Sequence, residues 1–162
     1  MREILFKAKR IDNGKWVEGY YYKMSETTYC FKEDYERKPV PEHHYILQER
    51  ITDWGLPNRI VQIEIDPETL CQFTGLTDKN GNKIWENDII KYHFGEIYAP
   101  IKYGCYQNCF DSQKTEHIGF YVDWTGDKCL RKDLGYWINM VDAMPVGNVF
   151  DQPELLQDES DE

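Results

Sequence analysis

Ile65-Asp66-Pro67-Glu68-Thr69-Leu70-Cys71-Gln72-Phe73-Thr74-Gly75-Leu76-Thr77-Asp78-Lys79-Asn80-Gly81-Asn82-Lys83-Ile84-Trp85-Glu86-Asn87-Asp88-Ile89-Ile90-Lys91-Tyr92 reads as a series of backbone instructions. Asp66 can accept from the free N–H groups of a short helical turn, and Pro67 sits where a missing N–H costs nothing. Gly75 takes a positive φ and closes that segment. Asp78-Lys79-Asn80-Gly81 is a tight-turn signal, since Asn and Gly tolerate left-handed backbone and Asp bonds the turn's N–H groups. Ile84-Trp85-Glu86 and Ile89-Ile90-Lys91-Tyr92 are strand-like, with a kink at Glu86-Asn87-Asp88. The five acids Asp66, Glu68, Asp78, Glu86 and Asp88 also invite a metal or acid–base reading. Turn formation accounts for each of them separately, and it is the simpler reading.

Upstream, residues 3–11 alternate, with Ile4, Phe6 and Ala8 on one face and Lys7 and Lys9 on the other. Asp12-Asn13-Gly14 makes a turn into a strand over residues 15–23, which gives a hairpin. Trp16 and Tyr20 to Tyr22 are the residue types of a base-stacking platform, but no basic groove accompanies them, and packing explains them better. Residues 25–59 carry little pattern. The charged run from Glu33 to Glu42, with Pro39 and Pro41, is expected to be a surface loop. His43 and His44 are adjacent and so point to opposite faces of a strand, which argues against a shared metal ion. Residues 45–47 and 60–65 read as strands, the second delivering the chain into the opening stretch. Downstream, residues 97–103, 119–124, 137–141 and 146–150 are further strand candidates between Gly-containing turns.

The opening stretch resembles the signature of the YopX family, small proteins encoded by bacteriophages and prophages of Gram-positive bacteria. The resemblance rests on Asp66-Pro67-Glu68-Thr69, Gln72-Phe73-Thr74-Gly75-Leu76, Asp78-Lys79-Asn80-Gly81 and Ile84-Trp85-Glu86-Asn87-Asp88-Ile89-Ile90. The motif residues carried over are Asp66, Pro67, Gln72, Thr74, Gly75, Asp78, Gly81, Glu86 and Asp88. Asn87 stands where the family has glycine, and Asn is the next best residue for positive φ. Arg10, Asp12, Gly14, Trp16 and Gly19 match the family's opening, and residues 146–156 its ending. The family has no established biochemical activity, so what the resemblance implies is fold and origin. The expected fold is mostly β, an N-terminal hairpin region with a C-terminal SH3-like barrel-type module. The expected division is 1–64, 65–156 and an acidic tail over 157–162 that stays mobile.

Charge is unevenly spread over the 162 residues, whose formal net charge is −10. Residues 1–64 hold 11 basic and 11 acidic side chains, and residues 65–150 hold 8 and 12. The last twelve residues hold six acids and no Lys or Arg. Most of the acidity is therefore terminal. Direct nucleic-acid binding, which needs a basic footprint, is not expected. No secretory segment follows Met1, no run is long enough to span a membrane, and the five irregularly spaced cysteines read as reduced thiols in the cytoplasm of a bacterial host. Cys105 and Cys109, with His93 and His117, form the only zinc-like spacing, and they lack a second close pair. Nucleotide-loop, nucleophile-elbow and zincin motifs are absent.

Three readings of function follow. The first is a non-enzymatic, self-associating interaction module, a homo-oligomer that binds a host or phage protein and needs no cofactor. The second is an acidic mimic of nucleic acid that inhibits a host DNA enzyme. The third is a small metal-dependent hydrolase or nuclease built on the signature acids.

Overall fold

The computed structural model describes residues 1–126 and 128–157; the expected mobile tail, Asp158 to Glu162, lies outside them. The chain divides into two compact units, one over Glu3–Gln72 and one over Phe73 onward with Met1–Arg2.

In the first unit, β1 (Phe6–Lys9) and β2 (Trp16–Ser25) form the expected antiparallel hairpin, with Ala8 opposite Val17. Gly14 at φ 67° and the Asn13 side chain, which accepts from the Lys15 N–H at 2.9 Å, make its turn. The strands β3 (Glu42–Arg50) and β4 (Arg59–Glu64) extend the sheet in the order β4-β3-β2-β1. Tyr21 lies opposite Ile46 and Ile46 opposite Ile63, so strand alternation gathers Ala8, Val17, Ile46 and Ile63 on one face. Together with Ile65 they form the unit's core. Fully burying each isoleucine contributes about 1.5–3 kcal/mol.

The charged run is not a loop throughout, because Lys32–Arg37 forms a short helix, α1. Acids in its first turn and Arg37 in its last suit the helix dipole, and none of its residues is buried. Pro67–Thr69 makes the expected single helical turn, of 3-10 type, with Asp66 Oδ1 accepting from the Glu68 N–H at 3.0 Å. Thr69 ties this turn to β1, its Oγ1 accepting from the Lys9 N–H at 2.8 Å and donating to the Asp66 carbonyl at 2.8 Å. Cys71 and Gln72 open β5 (Cys71–Thr77) and pair with Lys7 and Phe6.

In the second unit, the rest of β5 pairs with β6 (Lys83–Trp85). Gly75 has the expected positive φ, 85°, but it lies inside a strand rather than closing a helix. It sits within the register irregularity between Phe73 and Thr77, where glycine relieves the strain of a bulge. The 78–82 turn forms as read. Asp78 Oδ1 accepts from the N–H groups of Asn80 at 2.8 Å and Asn82 at 2.9 Å, and Gly81 has φ 83°. Asn87 takes the kink at φ 66°.

The strands β7 (Asp88–Lys91), β8 (Tyr98–Tyr106), β9 (His117–Val122) and β10 (Pro145–Asn148) form an open antiparallel sheet, β10-β7-β8-β9. Among the described residues no sheet closes into a barrel, so the mostly β expectation holds and its SH3-like detail is not met. The reason lies in residues 137–141, read as a strand but folded largely into α2 (Leu134–Asn139). Leu134, Trp137 and Ile138 recur at i, i+3 and i+4, which is a helix face, and all three are buried. They pack with Ile84, Ile90, Ile101, Val122 and Trp124 into the unit's core.

Candidate functional site

The signature residues are scaffold. Thr74 Oγ1 donates to the Ile84 carbonyl at 2.8 Å, and the buried Asp88 carboxylate accepts from the Trp85 N–H at 2.8 Å. Asp78 is held below the usual carboxylate range, chiefly by the Asn82 side chain. Gln72 pairs in the sheet opposite Phe6, Pro67 starts the helical turn, and Glu86 is half-buried at the kink. Among the described residues, no three His, Cys, Asp or Glu side chains gather where a metal ion would sit, so Asp66, Glu68, Asp78, Glu86 and Asp88 form no metal cluster.

The sulfur chemistry differs from the reduced thiols expected. Cys109 and Cys129 form a disulfide with a Cα–Cα distance of 5.8 Å, while Cys30, Cys71 and Cys105 are free. The zinc-like set is thereby dismantled: Cys109 has no thiolate to offer, and His117 Nε2 lies 3.1 Å from the Asp111 carboxylate. The pairing had no spacing signal, because the two cysteines are 20 residues apart on different loops.

Beside the disulfide is a polar network that sequence reading missed. Asp133 accepts from the Tyr106 hydroxyl at 2.7 Å, the Asn108 amide at 3.2 Å and Arg131 Nε at 3.0 Å. Asn108 is buried, and its side-chain oxygen accepts from the Lys132 N–H at 2.8 Å. Burial first, and then the bond to Asp133, pushes the Tyr106 phenol up to about 12, so it remains a donor at neutral pH. The network ties the β8–β9 connection to the segment before α2. It orients Arg131 and offers no free nucleophile–base pair.

The outer face of the first unit's sheet is a second feature. Tyr20, Tyr22 and Met24 on β2 are exposed, and Ile60 on the edge strand β4 is 77% exposed. Register places Tyr20 opposite Leu47, Tyr22 opposite Tyr45, and Glu49 opposite Ile60, so these side chains share one face. On β1, Lys7 and Lys9 bring their Nζ atoms 4.9 and 5.4 Å from the Trp16 ring centroid. Toward the other end of the face, His43 stacks on Tyr45 and lies between two carboxylates. Its Nδ1 is 2.6 Å from Glu64 and its Nε2 is 2.8 Å from Glu26. His44 points the other way, with Nδ1 2.6 Å from the Tyr21 hydroxyl, as adjacent strand residues must. The face's aromatic residues and His43 stand out in the sequence, but its carboxylate partners do not, since Glu26 and Glu64 lie 17 and 21 residues from His43.

Both ring nitrogens of His43 donate only when the ring is protonated, and the bonds to Glu64 and then Glu26 raise its pKa above the ordinary 6.5. The native form therefore holds the proton more tightly than the unfolded chain. The resulting stabilisation is complete below about pH 6.5 and is lost as pH rises through the raised value. The melting-temperature difference between wild type and His43→Gln should accordingly shrink from pH 6 toward pH 8. A difference that is flat across that range counts against the clamp.

A family model described as YopX protein matches residues 5–157. Among solved structures, the crystal structure of protein EF1440 from Enterococcus faecalis is similar at 17% identity, over 97% of this chain and 100% of that one, with a TM-score of 0.45. No curated protein matches.

Proposed function

The chain belongs to the YopX family, and we propose that it is a self-associating, non-enzymatic protein-interaction module of phage or prophage origin whose first partner is a second copy of itself. The observation that carries this reading is the outer face built on β2, β3 and β4. Exposed tyrosine and methionine side chains on one sheet face, with Ile60 exposed on the edge strand beside them, mark an interaction site. Its Tyr and Met side chains are types enriched at protein interfaces.

The charge layout favours a second copy. Charges of both signs border the face, with Lys7 and Lys9 over Trp16 and Glu26 and Glu64 on His43. A face that carries both signs can set lysines of one copy against carboxylates of its partner about a two-fold axis, which is the self-complementarity a closed dimer requires. Of the signature acids, Asp66, Asp78 and Asp88 accept from backbone N–H groups of turns and caps.

Light scattering of the full chain at high micromolar concentration should report a dimer or larger homo-oligomer. Tyr20→Glu combined with Tyr22→Glu should weaken association by about 100-fold or more while leaving the melting transition cooperative, since both side chains are exposed. A monodisperse wild-type monomer would falsify the reading. An unchanged oligomer in the double variant would remove this face from it.

A further inference from the structure

The second unit contains a cavity of about 450 Å³, lined by Tyr92, Phe94, Phe110, Arg131 and Tyr136 among others, with the disulfide-bonded Cys129 in its wall. That volume suits a small organic molecule. The Arg131 guanidinium carbon lies over two rings, 5.1 Å from the Phe110 centroid and 5.1 Å from that of Tyr136. Its Nε is tied to Asp133 at 3.0 Å, and its backbone carbonyl accepts from the buried Trp137 indole N–H at 2.7 Å. The group is therefore fixed in position from three sides. Its Nη atoms have no hydrogen-bond partner among the described residues, and its side chain is 44% exposed. A second cation, Lys128 Nζ, lies 5.5 Å from the Tyr92 ring centroid. No carboxylate lines the cavity among the described residues.

We propose that this cavity binds a small planar aromatic anion, with its ring against the aromatic wall of Tyr92 and Phe94 and its carboxylate or phosphate taken edge-on by the Nη atoms of Arg131. A guanidinium in cation–π contact with rings still presents a planar pair of N–H donors along its edge, the geometry that matches carboxylate and phosphate oxygens. Phe94 is 84% exposed, so it is a wall available to stacking rather than a packed core residue. The reading is independent of self-association, because every residue it uses lies in the second unit and none on the outer face of the first.

Titration calorimetry of the full chain tests it, with adenosine monophosphate and a naphthalene carboxylate as probes and adenosine and ribose phosphate as halves. At least one ring-bearing anion should bind with a submillimolar Kd, and each half should bind about tenfold more weakly or not at all. Binding of the nucleotide alone assigns the site to aromatic phosphates, and binding of the carboxylate alone to aromatic carboxylates. Binding of both supports the shared chemistry. Arg131→Gln should weaken the bound probe by about 10- to 100-fold, and Phe110→Ala, at a half-exposed ring, by about tenfold, each with the melting temperature maintained. Failure of both anions to bind, binding of adenosine as tight as its monophosphate, or full affinity in Arg131→Gln would overturn the proposal.

Discussion

Replacing Trp137 by alanine is expected to lower the unfolding free energy by about 3–5 kcal/mol, the range for removing a large aromatic from a packed core. Trp137 is 4% exposed on α2, with ring centroids of Tyr92, Trp124 and Tyr136 at 6.1, 5.0 and 5.4 Å. Its indole N–H also satisfies the Arg131 carbonyl. Trp137→Phe separates the two contributions. It keeps much of the packing but removes the donor, so it should cost less, about 1–3 kcal/mol. Denaturant midpoints at constant slope measure both losses. A loss below about 1 kcal/mol in the alanine variant would show that this helix face is not the centre of the second unit's core.

Opening the Cys109–Cys129 disulfide should cost about 3 kcal/mol. The bond closes a segment with a sequence separation of 20, and a loop of that length restrains the unfolded chain by roughly that amount. The paired change Cys109→Ser and Cys129→Ser should reproduce the loss, and added reductant should then leave the variant's melting temperature unchanged. The Asn108–Asp133–Tyr106 network holds the same two segments by hydrogen bonds, so the native arrangement persists without the covalent link. Thiol titration of unreduced protein should find three reactive groups after unfolding, those of Cys30, Cys71 and Cys105. Five would refute the bond. Compartment then matters, because a reducing cytoplasm keeps such a pair open and an oxidising space keeps it closed.

Local chemistry was legible wherever a residue acts on its own neighbours. Asp66 caps the turn two residues on, Gly81 and Asn87 take positive φ, and the alternation around Phe6 and Ala8 sets the hairpin faces, all from short-range pattern. The helix over Leu134–Asn139 was misread because a run of Tyr, Trp, Ile and Val carries strand propensity, and burial of Leu134, Trp137 and Ile138 on one side outweighs it. Barrel closure failed with it, since the expected strand left the sheet. The Arg131 and His43 sites were invisible for a different reason. The His43 carboxylates lie 17 and 21 residues away, and Phe110, which packs on Arg131, lies on a different loop; no periodicity encodes which segments will meet.

The tie between β1 and the Thr69 turn sets a timetable for synthesis. Lys9 waits for Thr69, 60 residues later, before its N–H finds an acceptor, and Phe6 and Lys7 wait for Gln72 and Cys71. At roughly 5–20 residues per second, that leaves the outer edge of the first strand open for about 3–12 seconds on a growing chain. A nascent hairpin in that interval has unpaired backbone groups facing other nascent chains from the same message, and strand edges in that condition recruit one another. Vectorial production thus puts the N-terminal edge at its greatest risk of mispairing early, and translation slowed within residues 15–70 would lengthen the exposure.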